Sequence, residues 1–253
     1  MNFAKKMIAV LALLPGLAFA NEGGPALDKA PERDSLTSLQ NGAKLFVNYC
    51  LNCHSATSMR YNRLKDLGLS DDQIKNNLLF SGEKVGDLMT TALRPADAKA
   101  WFGAVPPDLS VIARATASSA GTGSDYLYTY LRSFYKDDTR PTGWNNMVLP
   151  NVAMPHAMWQ LQGVRTVKMV EEKDPHDHTK TVHKFGGYQM VQPGSMTQME
   201  FDTATADLVG YLGWMAEPAQ GTRKRLGVWV LLFLSIFSLL CWRLSASYWK
   251  EVK

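Results

Sequence analysis

The chain has 253 residues, with 27 Lys and Arg against 23 Asp and Glu and a formal charge of +4. Two of the basic residues precede Asn21 and six lie at or beyond Arg223, while Glu251 alone of the acids falls outside residues 21–222, so that stretch carries 19 basic and 22 acidic groups. Some 200 residues suffice for one domain with a buried core, and the mild acidic excess disfavours a nucleic-acid partner while permitting attraction of a basic soluble one.

Lys5 and Lys6 precede an apolar run from Met7 to Leu17 that closes on Ala18-Phe19-Ala20. This is the layout of a secretory signal with an A-x-A cleavage site, and the run is short for a membrane span. Residues 1–20 are therefore read as a signal peptide and residues 21–222 as one periplasmic domain. Asn21 to Pro31, rich in Gly, Pro and charge, reads as an extended leader. Asp34 or Ser35 then caps a helix in which Leu36, Leu39, Ala43, Phe46, Val47 and Cys50 recur at helical spacing.

That helix delivers Cys50-Leu51-Asn52-Cys53-His54, a C-x-x-C-H sequence of the kind that attaches c-type haem. Two thiols three residues apart can each form a thioether to a haem vinyl group, and the adjacent imidazole can turn onto the iron. The other uses of C-x-x-C fit poorly. A zinc site needs a second ligand pair, yet the third cysteine, Cys241, lies far away in an apolar run, and a dithiol oxidoreductase gives His54 no purpose. With both motif thiols committed to haem, no structural disulfide is available.

Ser70-Asp71-Asp72-Gln73 is a capping-box pattern that starts a short helix between Leu67 and Phe80, and a further helix is predicted from Tyr126 to Tyr135. His54 fills one axial position of the iron, so the use of the haem depends on the other; a thioether there suits electron transfer, whereas an open position suits ligand or peroxide chemistry. Met59 is too near the motif to reach the opposite haem face. Met147, Met154, Met158 and His156 lie in Asn145–Gln162, a stretch with loop-forming Asn and Pro. Met154 is favoured because Pro155 fixes an extended backbone before it, with His156 as the second candidate and Met158 assigned to the core beside Trp159.

Alternation from Val164 and a polar stretch from Glu171 to Lys180 predict a hairpin-like excursion to about Val182. His176, His178 and His183 fall in it; imidazoles two apart can chelate metal, but no carboxylate or thiol stands at helix-like spacing beside them, which favours a solvated loop. A last soluble helix is predicted from Thr203 to Ala216, with Leu208, Tyr211, Leu212 and Met215 on one face and Pro218 as its stop. It and the first helix bracket the domain, as in the crossed helix pair of small c-type cytochromes.

Leu226 to Trp242 holds no charge and as a helix is about 25 Å long, enough to cross a bilayer once Trp229, Trp242 and Trp249 sit at the interfaces. Residues 223–243 are read as a transmembrane anchor, with Cys241 an inert apolar residue. Arg223, Lys224 and Arg225 on one side balance Arg243, Lys250 and Lys253 on the other, so the signal peptide decides orientation and leaves 244–253 as a cytoplasmic tail. The expected class is mainly α: a class I cytochrome-c-like haem domain with a small irregular or β excursion, plus one C-terminal transmembrane helix.

Beyond the haem motif, further blocks are distinctive: Trp101-Phe102-Gly103-Ala104-Val105-Pro106-Pro107-Asp108-Leu109-Ser110, Asp125 to Tyr135, Arg140-Pro141-Thr142-Gly143-Trp144-Asn145-Asn146, Asn151 to His156, Trp159 to Gly163, Trp214 to Pro218 and Arg223 to Gly227. Over nearly all of residues 33–243 the chain resembles the cytochrome c1 family, more closely its proteobacterial branch. The resemblance implies one haem c held through Cys50 and Cys53, with His54 and Met154 as iron ligands. It also implies a pocket in which Pro106 and Pro107 form a wall near His54 and Leu109, Ile112 and Tyr126 line the rest. The family often places basic residues two apart after Pro-Pro-Asp-Leu-Ser; here the first is Arg114 and the second position holds Thr116, so Arg114 is the remaining candidate for a propionate contact.

The function implied is that of a membrane-anchored monohaem cytochrome in the bc1 complex. It accepts an electron from the Rieske iron-sulfur protein and passes it to cytochrome c, with cytochrome b and membrane lipid as neighbours in a dimeric complex of the cell inner membrane. A free membrane-tethered monohaem shuttle or a terminal-oxidase haem subunit shares the haem but commonly has an N-terminal anchor. A haem sensor or peroxide-reducing enzyme usually needs an open iron and often a second haem, whereas one C-x-x-C-H is present. An assembly factor that binds no haem is the remaining rival.

Overall fold

Ser35 ends the extended entry of the chain and accepts a hydrogen bond from Ser38 N, which starts helix α1 (Leu36–Leu45). A computed structural model describes residues 26–173 and 181–251; the signal-peptide reading and His176 and His178 lie outside them. α1 buries Leu39, Gly42, Ala43 and Leu45, then widens into a π-helical turn, Phe46–Cys50, in which Leu51 N bonds back to Phe46 O. A short strand β1 (Ala56–Arg60), a 3-10 turn (Tyr61–Leu67), helix α2 (Asp71–Asn77) and strand β2 (Leu88–Met89) follow. Ser70 and Gln73 form the expected reciprocal capping box on α2.

Helices α3 (Pro95–Phe102), α4 (Ile112–Ala115) and α5 (Gly123–Leu131) come next, then strands β3 (Phe134–Lys136) and β4 (Trp144–Asn146). The predicted helix over Tyr126–Tyr135 thus begins earlier and stops at Leu131. Thr122 and Asp125 cap its start reciprocally, and after it the chain leaves to pair Phe134 with Asn146. A single turn α6 (Trp159–Gln162) leads into a hairpin of β5 (Gly163–Lys173) and β6 (Thr181–Pro193). The hairpin reaches Pro193, well past the predicted limit near Val182, with Gly163 opposite Pro193 and Glu171 opposite His183.

Helix α7 (Gln198–Ala216) starts five residues before the predicted Thr203. Thr197 and Glu200 explain it: Glu200 N donates to Thr197 Oγ1 and Thr197 N to Glu200 Oε2, a capping box one turn upstream. α7 buries Phe201, Leu208, Val209, Tyr211, Leu212 and Met215.

α1 crosses α7 at Gly42. A Cβ there would stand 2.2 Å from Asp207 O and 2.6 Å from Tyr211 Cβ, so only glycine admits this approach. Phe46 packs against Tyr211 with ring centroids 5.5 Å apart, and Asn41 Nδ2 donates to Asp207 Oδ2 at 2.8 Å. The first and last helices of the domain therefore pack as their bracketing positions suggest. α4 and α5 approach through Gly123, where a Cβ would lie 2.0 Å from Ala113 O.

Residues 26–31 of the leader are fastened to the domain: Asp28 N donates to Thr129 Oγ1 and Ala30 N to Asp125 Oδ1, both at 2.8 Å. Arg132 binds Asp202 through two nitrogens and Asp28 through a third, with its guanidinium 4.3 Å over the Tyr128 ring.

Residues 217–253 form a second unit. Its helix α8 (Gln220–Tyr248) has a mean hydropathy of 2.0 over its most apolar window, and none of that window is buried. Twenty-nine residues make about 43 Å of helix, which exceeds the roughly 30 Å hydrocarbon core. An apolar helix exposed all round is stable only in lipid or against partner helices.

Candidate functional site

The π-helical turn ends at Cys50, and a tight turn follows in which Cys53 N and His54 N both donate to Cys50 O. This brings the two motif side chains together on a short arc, and both thiols are free of any disulfide. Burial, reinforced by the neighbouring Cys53, pushes the Cys50 thiol up to about 12.

His54 Nδ1 lies 2.8 Å from Pro107 O. A carbonyl can only accept, so Nδ1 carries the proton and the unprotonated Nε2 is left for a metal. Burial lowers the His54 pKa against the opposing effects of the Pro107 bond and Asp108, which keeps the ring neutral and ligand-competent.

The Pro-Pro-Asp-Leu-Ser segment is clasped to the motif by its own side chains. Asp108 Oδ2 accepts from Thr57 N and Thr57 Oγ1, each at 2.8 Å, and Oδ1 accepts from Ser110 N. Ser58 N donates to Ser110 Oγ, and Leu109 N to Ser55 O at 2.8 Å. Burial opposes ionisation of Asp108, but the bonds from Ser110 and Thr57 outweigh it and hold its carboxyl below the usual range. These contacts fix the Pro107 carbonyl, and through it the imidazole plane.

Leu109 is buried, while Ile112, Tyr126, Met154 and Cys50 are half-buried residues packed against the same core. Pro106 is half-buried and Pro107 exposed. Thr116, at the position where the family often has a basic residue, instead donates Oγ1 to Ile112 O and closes α4. Arg114 is exposed and meets no carboxylate among the described residues.

The candidates for the sixth position fall apart by environment. Met154 is half-buried, and its sulfur accepts a hydrogen bond from Tyr130 Oη at 3.3 Å. Met158 is buried in the core at 4% exposure. His156 is buried too, its ring stacked on Phe134 at 4.9 Å and edge-on to Trp144 and Phe201, and desolvation holds its pKa down to about 3. Its aromatic cage gives it a packing role. Met147 stands beside Val148 at the edge of a cavity of about 690 Å³ that also touches Arg132 and Tyr188.

Free thiols, a neutral imidazole with a fixed tautomer and a half-buried thioether form a donor set that fits a covalently held haem with two axial ligands. Tyr130 was missed in the sequence: its spacing reads as helix, and nothing local pairs it with a methionine 24 residues on. Among the described residues no group of three or more His, Cys, Asp or Glu side chains gathers as a metal-holding set, and His183 lies in β6 opposite Glu171.

Comparison with known proteins agrees. The model of the cytochrome C1 family matches residues 32–186 and 187–252. The chain is 43% identical over 245 residues to cytochrome c1 of Allochromatium vinosum, covering 96% of each, and 30% identical over 276 residues to that of Rhodospirillum rubrum, covering 94% of this chain and 93% of the other. It is also 43% identical, over 253 residues and the full length of both, to a Nitrosomonas europaea protein named ammonia monooxygenase gamma subunit. With the motif, the Pro-Pro-Asp-Leu-Ser clasp, the C-terminal apolar helix and these matches together, the chain belongs to the cytochrome c1 family.

Proposed function

We propose that this chain is the membrane-anchored monohaem electron-transfer subunit of a ubiquinol:cytochrome c oxidoreductase, the bc1 complex. In it the chain accepts an electron from the Rieske iron-sulfur protein, beside cytochrome b, and gives it to cytochrome c. The observation that carries the reading is His54, held through Nδ1 on Pro107 O inside a C-x-x-C-H motif.

When bound, haem c supplies one-electron chemistry at an iron that alternates between ferric and ferrous states. Cys50 and Cys53 would hold it covalently through their sulfurs, and His54, through Nε2, and Met154, through its sulfur, would hold its iron. Pro106, Pro107, Leu109, Ile112 and Tyr126 would line the ring, and apolar cover of that kind with a thioether ligand favours a high potential. Arg114, on the surface of α4, is the candidate left for a propionate contact. No proton moves and no bond is made or broken by these residues during turnover, so the chain contributes electron transfer rather than substrate chemistry.

Residues 1–20 as signal peptide and 223–243 as anchor put the domain of residues 21–222 on the periplasmic face of the inner membrane, with 244–253 inside. Lipid surrounds the anchor, and the complex is a dimer. A reduced-minus-oxidised visible spectrum of the chain, purified by a tag in mild detergent from its native membrane, tests the proposal. Bands of b-type and c-type haem together, both reduced by quinol, are expected. A c-type band alone under conditions that preserve complexes would refute membership and favour a free shuttle or an oxidase subunit. Co-purification with a monooxygenase and no b-type haem would favour the alternative name carried by the Nitrosomonas relative.

A further inference from the structure

Tyr130 points its hydroxyl at the Met154 sulfur, 3.3 Å away, and among the described residues that sulfur is the acceptor it meets. The ring cannot readily swing off. Tyr126 stacks on one side of it, with centroids 5.9 Å apart and planes within 8°, and Phe134 meets it edge-on at 5.1 Å. The phenol is 9% exposed, so little water competes for its proton. α5, which carries Tyr126 and Tyr130, is fixed by its capping box and by Gly123 against α4.

A thioether sulfur has two lone pairs. One can bind iron while the other accepts a proton, so the Tyr130 bond and ligation are compatible. Donation to the sulfur draws electron density from it, and a poorer donor stabilises ferric iron less than ferrous.

We propose that Tyr130 is a positioning residue for the axial Met154, whose hydrogen bond aims the sulfur and biases the centre toward its reduced state. This rests on the reading of Met154 as the sixth ligand. Tyr130 acts through Met154, with no contact to the electron donor or acceptor.

The test compares the holoprotein with Tyr130→Phe, which keeps the ring and removes the hydroxyl, and with Tyr128→Phe as a control whose ring lies under Arg132. The readouts are the long-wavelength sulfur-to-iron charge-transfer band of the ferric form and the ferrous:ferric ratio at a fixed ambient potential. In Tyr130→Phe the band is expected to shift and the ratio to fall about two- to fivefold, the scale of one modest hydrogen bond; Tyr128→Phe is expected to leave both unchanged. An unaltered band and ratio in Tyr130→Phe would overturn the role of Tyr130 while leaving the ligand intact. Equal shifts in both variants would also overturn it, as a general disturbance. A parent protein without the band would remove Met154 as a ligand and the inference with it. Should Tyr130→Phe not assemble, proton NMR of the unsubstituted ferrous protein decides: a slowly exchanging Tyr130 hydroxyl with a cross-peak to the Met154 methyl supports the bond, and a freely exchanging one refutes it.

Discussion

Gly42→Ala tests whether the helix crossing governs assembly of the haem site. In an exposed helix this change stabilises by about 1 kcal/mol through propensity. Here the new methyl would lie 2.2 Å from Asp207 O and 2.6 Å from Tyr211 Cβ, where contact normally begins above 3 Å, so α1 and α7 must separate by about an ångström. Overpacking of that size sits at the upper end of the usual range, about 3 kcal/mol. The propensity gain offsets about 1, leaving a net loss of about 2 kcal/mol. For a domain of some 200 residues this lowers the midpoint by about 4–8 °C. Since α1 leads directly to Cys50, holoprotein yield should fall as well. The assay is thermal unfolding of the haem-loaded protein in detergent, followed by circular dichroism and the Soret band. A midpoint equal to or above that of the parent would refute the crossing geometry.

Met154→Ala should leave haem on the denatured chain, lower the potential and open the iron to carbon monoxide; continued inertness to carbon monoxide in the visible spectrum would refute the ligand assignment. Asp108→Ala removes three acceptor contacts at an exposed site, which at the low end of hydrogen-bond values amounts to about 1–2 kcal/mol, and it frees the Pro107 carbonyl. Its expected signature is a lower urea midpoint together with altered imidazole ligation in resonance Raman; a change in neither would show that the clasp is idle. Burial opposes ionisation of Asp125, but bonds from Thr122 and Ala30 hold its carboxyl below the ordinary range. Its contribution is therefore complete above the unfolded value near about 4 and is lost as pH falls through the lower folded value. Asp125→Asn should flatten the stability loss as pH falls below about 4 in urea titrations; an unchanged slope would refute that linkage.

The haem motif, the Ser70 cap and the apolar run were legible because each is a local pattern whose chemistry is set by spacing. The start of α7 was legible in principle, since Thr197 and Glu200 form a capping box three residues apart, but the apolar periodicity drew the boundary to Thr203. The end of α5 was not, because tertiary pairing decides it. Residues 134–136 leave helix to meet β4, and Asn146, read as loop-forming, supplies the reason. Its buried side chain accepts from Val148 N and Leu149 N and donates to Tyr130 O, which turns the chain there. Long-range pairs such as Arg132 with Asp28 and Asp202 lie 104 and 70 residues apart, beyond the reach of any local pattern. Arg165 is a further case: it is buried in the hairpin and donates to the carbonyls of Phe134 and Arg132.

The π-helical turn at Phe46–Cys50 stores one residue of slack in the helix that aims the haem thiols. Such a turn holds one residue more than α-helix would need to cover the same rise, and each α-helical residue rotates the chain by about 100°. Deleting one residue between Phe46 and Tyr49 would close the turn into regular helix with Leu51 N still on the Phe46 carbonyl and leave Cys50 near its present bearing, whereas the same deletion inside α1 would swing Cys50 and all that follows it by roughly that angle. Single-residue deletions should accordingly be better tolerated between Phe46 and Tyr49 than between Leu36 and Leu45, and a variant library scored for covalent haem would show the asymmetry as a step at Phe46.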